Sequence, residues 1–527
     1  MTENTEAPST TAPEDALNER VREAYRAVSD EARAEKVAKQ HGRGKMTARE
    51  RVALLANGGF HEFGALAGPG PAQQGAAPLV APGDGVVTGI GYIDGRPAAI
   101  AAFDFTVLGG SNGATGMAKL DRCAERALLD EIPLIMLMDG GGHRMQEALD
   151  SRLAAPGSQL LLRLADLSGH VPLVAAMMGP GFGAPANISA CCDFVTIVRG
   201  MGTIGISSAP LVQAATGESM TNDEIGGADL QAERGVVDMV TADEQEALDA
   251  VRAFLSYLPP SAAGEPIVAP GPYEAGDRAA DIDTMIPASM RVAYDVVEVI
   301  EAIADADTVF ELKRRHAPNI VTALVRVDGR PMGVVANQPR FHAGALDAHA
   351  CEKAAHFIAV CDAFGLPLLI LIDLPGFLVG AGAEETNLVR RSARLGYELG
   401  AATVPRFVVV TRKAYGAAYI AMGGGRSAHA DLSLAWPTAE ICAIPIESAV
   451  DLAFRSQYES APEPDKARAD LITLFKANVD PLLAADGFGI DDVVLPSATR
   501  PMLAEALRRV KRRPPRVPQK RRSISPI

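Results

Sequence analysis

The 527-residue chain contains six cysteines but no C-x-x-C pair, and no histidine stands at metal-ligand spacing beside Cys123, Cys191, Cys192, Cys351, Cys361 or Cys442. That pattern argues against a structural zinc and for buried reduced thiols, so no metal is expected. Long hydrophobic runs are missing too. Apolar runs such as 132–138 and 366–372 span about one strand each and are followed by Asp, well short of the ~20 residues a membrane helix needs. Met1 to Asp15 is polar and rich in Thr, Pro and Glu, without the charged start and apolar core of a signal peptide. A cytoplasmic protein with no membrane insertion is expected. Familiar catalytic sets are absent as well. Neither H-E-x-x-H nor G-x-x-x-x-G-K-[ST] occurs, and no Ser sits in a G-x-S-x-G elbow at 139–144, 178–185, 373–377 or 413–419, so a zinc protease and a P-loop lack their residues and those strand ends lack an esterase serine.

Positive charge is concentrated in one place. The net charge is −15, yet Arg508 to Arg522 holds nine Lys/Arg and no acid, which leaves −24 on the rest of the chain. Such a body is a poor partner for nucleic acid. The basic stretch is broken by Pro514, Pro515 and Pro518, so 511–527 is expected to be a disordered tail.

What the sequence does contain is itself, twice. Pro133-Leu134-Ile135 to Asp139 returns 234 positions later as Pro367-Leu368-Leu369 to Asp373. Asp94-Gly95-Arg96-Pro97 recurs as Asp328-Gly329-Arg330-Pro331 at the same offset, and Pro172 with Gly183 recurs as Pro405 with Gly416 one residue short of it. A spacing held over so long a stretch means two homologous domains. Short apolar strands alternate with Ala-rich helices, as at 116–130 and 345–362, the pattern of stacked α/β units. Residues 1–18 read as a flexible leader, 19–40 as a charged helix with one apolar face, and Met46–Arg51 as the opening of another helix. Proline and glycine without periodicity over 258–280 mark a linker, after which 283–305 restarts with a helix. The expected domains are 19–265 and 266–510.

In parallel α/β sheets the reactive crevice lies at the carboxyl edges of the strands. Four such edges are glycine-rich: Asp139–Arg144, Met178–Pro185, Asp373–Phe377 and Lys413–Tyr419. Glycine admits close approach of a ligand, and a helix beginning there turns free N–H groups and a positive dipole end outward, which suits an oxyanion. Pro185 fits a first helical turn and leaves Gly183 and Ala184 as the donors. Without a conventional side-chain set, backbone donors carry the chemistry.

Several segments carry a family resemblance: Met46-Thr47-Ala48-Arg49-Glu50-Arg51, Gly85-Val86-Val87-Thr88-Gly89, Asp104-Phe105-Thr106-Val107-Leu108-Gly109-Gly110-Ser111, Gly226-Gly227-Ala228, Arg412-Lys413-Ala414-Tyr415-Gly416 and Ala435-Trp436-Pro437-Thr438-Ala439-Glu440. In order, from about residue 20 to 510, they resemble the biotin-dependent carboxyltransferase β subunits of acyl-CoA carboxylases of the propionyl-CoA type. The resemblance implies two tandem crotonase-like domains. It also implies transfer of carboxylate from carboxybiotin to the α-carbon of an acyl-CoA, the protein stabilising a thioester enolate and a biotin enolate. By resemblance Gly183 and Ala184 hold the acyl-CoA carbonyl, while Ala417 and Ala418 beside Gly416 hold biotin. Gly141, Gly142, His143, Gly416, Tyr419 and Ile420 then border the substrate, and Gly376, Phe377 and Glu447 the biotin. One such donor is worth about 10²–10³ in kcat.

No Met-Lys-Met-like attachment triplet occurs, so biotin must arrive on a separate biotinylated subunit carrying biotin carboxylase. The family pairs the first domain of one chain with the second domain of a neighbour, which implies a dimer within a hexamer. This chain departs from the family at Gly183-Ala184-Pro185, at Gly140-Gly141-Gly142-His143, at Ile420 where the family has an acid, and at Ile444-Pro445-Ile446-Glu447. An altered acyl preference is the expected consequence. Three other readings stay open: an auxiliary β-type subunit without turnover, a biotin-dependent decarboxylase subunit, and a crotonase-type hydratase, for which Glu147 is the nearest acid but has no obvious mate.

Overall fold

The computed structural model describes residues 13–69, 79–149, 151, 158–426 and 429–514. Residues up to Leu230 together with Val240–Arg252 form one compact unit, and Gln231–Met239 with the chain from Ala253 onward form a second.

The first unit is built on β1 (Phe60–Phe63), β2 (Val86–Ile93), β3 (Arg96–Phe103), β4 (Leu134–Gly140), β5 (Leu173–Phe182), β6 (Phe194–Val198), β7 (Thr203–Gly205) and β8 (Met239–Thr241). These run in the order β1-β2-β3-β4-β5-β6-β8, with β7 paired to the far end of β5. The second unit repeats the plan with β9 (Phe310–Leu312), β10 (Ile320–Val327), β11 (Arg330–Asn337), β12 (Leu368–Leu374), β13 (Arg406–Tyr415), β14 (Leu432–Ala435), β15 (Glu440–Cys442) and β16 (Asp492–Val493). Its order is β16-β14-β13-β12-β11-β10-β9, with β15 on β13.

Each sheet is mixed. Its first three strands are antiparallel, and β3/β4/β5 and β11/β12/β13 are parallel. The repeated Asp-Gly landmark is the hairpin turn of each sheet. Asp94 and Gly95 have φ 48° and 79°, Asp328 and Gly329 have φ 56° and 71°, and both central residues of this hairpin turn need positive φ. Every residue of β4 and β12 is buried, as expected of strands covered on both faces. The helices Ala114–Asp130 and Ala348–Ala363 connect β3 to β4 and β11 to β12. Each buries one lysine at the same offset. Lys119 donates to Gly83 O at 2.8 Å and to Val86 O, and Lys353 reaches Ile320 O at 2.7 Å, His316 O at 2.9 Å and Lys313 O at 3.0 Å.

Three sequence expectations change. The charged helix begins at Pro13, inside the stretch read as leader, and ends at Ala27 before a new helix at Ala34–His41. Proline at the first position followed by Glu14 and Asp15 is a favourable helix start. Residues 283–305 do not form one helix: a short turn at Ile282–Met285 precedes Val296–Ile303, since Pro287 intervenes and Asp295 caps the second. In the tail, Arg512 donates to Asp362 O at 2.7 Å and Arg513 to His429 O at 2.7 Å, so its beginning is anchored. Residues 1–12 of the leader and 515–527 of the tail lie outside the described residues. By contrast, Thr47 and Glu50 form a capping box that opens Ala48–Leu55 as expected.

Candidate active site

In the first unit, β5 runs into the helix Ala184–Ser189 through Gly183, whose φ of 71° and ψ of −123° only glycine adopts without strain. The Gly183 N–H donates to Gly205 O of β7 at 3.1 Å. It is therefore engaged, whereas the N–H of Ala184, at an exposed position in the first turn, has no intrahelical acceptor. Pro185 follows with no N–H at all. The loop after β4 closes beside this turn. A Cβ at Gly142 would stand 2.9 Å from Phe182 O, and Gly142 O accepts from Asn112 N at 2.7 Å. Gly141 and His143 are exposed, and His143 bridges Asn112. The structure thus brings Gly142, Phe182, Gly183 and Ala184 together.

In the second unit, β13 leads into the helix Gly416–Ala421, with Gly416 at φ 68°. Ala417 is exposed and Ala418 fully buried. Phe377, Ala417 and Ile420 line one apolar cavity of about 380 Å³, with Ser392, Gly396 and Gly400 of the helix Leu388–Ala401 opposite. Gly376 has φ 134°, and its carbonyl accepts from Leu346 N at 3.1 Å. Tyr419 turns from the cavity toward Gly424, where a Cβ would stand 1.9 Å from its ring, and burial raises its hydroxyl to about 12. Glu447 is not part of the cavity lining. It is exposed and paired with Lys476 at 3.2 Å.

Buried charges that the motif reading passed over lie at the strand ends leading into both site loops. Asp139 and Asp373 end the core of β4 and β12, both essentially inaccessible. Asp139 receives Lys45 at 2.6 Å and Arg51 at 2.8 Å, and Arg51 also pairs with Glu244. Asp373 receives Lys413 at 2.5 Å and Arg412 at 3.0 Å, and Arg412 also donates to the carbonyls of Val292 at 2.7 Å and Ser289 at 3.0 Å. Burial pulls both lysines below their ordinary range, opposed by the facing carboxylates. The available signal was the Asp at one offset with basic residues in the motifs around it.

Tyr415, just before Gly416, donates to Glu440 at 2.5 Å, and burial followed by that carboxylate pushes its hydroxyl well up, so it stays protonated. Glu147 does have partners: Arg144 at 2.7 Å, which also holds Asp84 at 2.5 Å, and Ala114 N at 2.7 Å. A carboxylate so engaged and only 3% exposed is a structural ion, not the free base a hydratase needs. Among the described residues no helix is long and apolar enough to cross a membrane.

Two α/β units with matched sheets and a donor-bearing turn at the same place in each make this a tandem pair of crotonase-like domains. Residues 39–524 match the carboxyl transferase domain. The propionyl-CoA carboxylase carboxyltransferase subunit of Haloferax mediterranei is 38% identical over 517 residues, covering 97% of this chain and 99% of its own. The methylmalonyl-CoA carboxyltransferase 12S subunit of Propionibacterium freudenreichii subsp. shermanii is 39% identical, covering 90% of each. The chain belongs to the carboxyl transferase family. Among solved structures, the hexameric transcarboxylase 12S with methylmalonyl-CoA and methylmalonic acid bound superposes with TM-score 0.90 at 35% identity, over all of both chains. A single-chain, multi-domain long-chain acyl-CoA carboxylase gives TM-score 0.83 at 34% identity, covering 94% of this chain and 49% of that one.

Proposed function

We propose that this chain is the carboxyltransferase subunit of a biotin-dependent acyl-CoA carboxylase, with the acyl-CoA thioester at the first turn and biotin, carried by a separate subunit, at the second. The observation that carries the reading is the paired construction: two helix starts at one offset, each with an exposed first-turn alanine whose backbone N–H has no intrahelical acceptor. When bound, carboxylated biotin supplies the carboxyl group and the base for the α-proton. The residues of the second turn fit it. The exposed Ala417 N–H can donate to the ureido oxygen, and the adjoining apolar cavity suits an uncharged bicyclic ring.

At the first turn the Ala184 N–H donates to the thioester oxygen as charge develops on it, aided by the positive end of the helix Ala184–Ser189. Gly183 contributes its conformation rather than its N–H, because that group is bound to Gly205 O. Gly141, Gly142 and His143 form the adjacent wall. Ile420 lines the second cavity where the family carries an acid; with the second domain of one chain set against the first domain of a neighbour, that wall also meets the acyl group and favours one different from that of relatives with the acid. Gly376 shapes the turn before Phe377. Glu447, paired with Lys476, stands outside the lining of the biotin-side cavity. The assembly that fits is a homo-oligomer, at least a dimer and by analogy a hexamer, in the cytoplasm.

The test mixes the purified chain with a carboxylated biotin carrier and acyl-CoAs of increasing length, following product mass. Carboxylated acyl-CoA is the expected product. A correctly assembled oligomer that yields none from any of them would replace this reading with the auxiliary-subunit one.

A further inference from the structure

The two buried aspartates at the ends of β4 and β12 are equivalent, 234 residues apart, yet they obtain their cations from different places. Asp373 is served by Arg412 and Lys413 on the adjacent strand β13. The positions in β5 that match them, 233 residues earlier, are Gly179 and Pro180, which carry no charge. The first copy fills the gap from outside the repeat, with Lys45 and Arg51 from the segment that precedes β1. Gly179 is the other half of this exchange. A Cβ there would stand 1.8 Å from Asp139 Oδ1 and 2.8 Å from Lys45 Nζ, so the Asp139–Lys45 ion pair occupies the room that a side chain at 179 would need.

The groups around Asp139 are Lys45, Arg51, Glu244 and the amide of Gln40, which approaches at 3.4 Å. Two carboxylates and two cations balance. Without Lys45, two buried carboxylates share one guanidinium. Asp139 leads directly into Gly140 and the loop whose Gly142 abuts Phe182 O, one residue before Gly183. The backbone has little slack here, because a Cβ on Gly110 would lie 2.1 Å from Asp139 O.

Resting on the proposed use of the first turn, we infer that Lys45 is a positioning residue of the acyl-CoA site: its ammonium replaces the lysine that β13 supplies in the second copy, pins Asp139, and so fixes the 140–143 loop against Phe182, Gly183 and Ala184. It touches no substrate. Its charge, not its place in the chain, is what the site requires.

The test compares the full-length wild type, Lys45→Met and Lys45→Met/Pro180→Lys, the last moving the cation to the position of Lys413. The readouts are hydrogen exchange of the 140–144 segment, thermal melting, and kcat and KM for acyl-CoA and for the carboxylated biotin carrier. Lys45→Met is expected to speed exchange at 140–144 and to lower kcat/KM for acyl-CoA at least tenfold, with KM for the carrier within twofold. The double variant is expected to regain protection and at least threefold in kcat/KM. Exchange and kcat/KM within twofold of wild type in Lys45→Met overturn the inference. So does a double variant no better than Lys45→Met, including the case where neither folds. Exchange needs no turnover, so a wild type that forms no product defeats the proposed function alone and leaves this inference to the exchange arm.

Discussion

Replacing Ala184 with proline removes one hydrogen-bond donor and little else. Ala184 is the first residue of its helix, where proline's preset φ is favourable and its missing N–H breaks no helical bond. Its side-chain position is exposed, so no core contact is lost. The loss therefore falls on transition-state stabilisation. For a single oxyanion donor that loss is about 3–4 kcal/mol, or 10²–10³ in kcat. The assay is carboxyl transfer from the carboxylated carrier, followed by product mass, with thermal melting in parallel. The expected result is that kcat falls by that factor, KM for acyl-CoA changes little, and the melting temperature stays within a few degrees. Ala184→Gly, which keeps the N–H, serves as the control and should hold kcat within about threefold. The neighbouring substitution Gly183→Pro cannot serve. Its φ of 71° is closed to proline and its N–H is bound to Gly205 O, so the turn itself would break. A folded Ala184→Pro enzyme with kcat within threefold of wild type would refute the assignment of this donor.

Other expectations follow from the same geometry. Asn112 is buried with both side-chain amide atoms unpartnered among the described residues, and the equivalent position in the second copy is Leu346, so Asn112→Leu should raise stability by about 1–3 kcal/mol in a denaturant titration; a fall in stability would show that the amide has a partner. Arg412→Met leaves Asp373 short of a cation and two carbonyls without their donor, and should cost about 3–5 kcal/mol, read as a lower denaturation midpoint. Gly110→Ala places a Cβ 2.1 Å from Asp139 O at a φ of 65° and should destabilise the first unit by more than 2 kcal/mol while also lowering acyl-CoA turnover. Ile420→Asp puts a charge into the second cavity and should change the kcat/KM ratio between short and long acyl-CoAs by about tenfold, measured on the same panel.

Much of the architecture was legible because it rests on local or repeated pattern. An Asp-Gly pair between two apolar runs is a hairpin signal, and at 94–95 and 328–329 it makes one in both copies. Runs such as 134–139 and 368–373 read as buried strands because every side chain on them is apolar up to the aspartate. The carboxyl-edge glycines likewise marked both turns in advance. Helix limits were less legible: Pro13 was hidden in a polar leader, and Pro287 divided what periodicity alone made continuous. At the sites, glycine content pointed to Gly183 as a donor, but whether its N–H is free depends on a carbonyl of β7 that no local pattern places beside it.

The sequence by itself determined the duplication, the family, and the two strand-to-helix turns, since all of these are written in residue order and spacing. Tertiary structure alone decided which donors remain available, that Phe377 and Ile420 share a cavity while Glu447 stands apart with Lys476, and which cations neutralise Asp139 and Asp373. The physical reason is range. Hydrogen-bond availability and buried ion pairing are set by groups brought within about 3 Å from distant parts of the chain, and two copies of one sequence pattern give their aspartate a lysine and an arginine from different places.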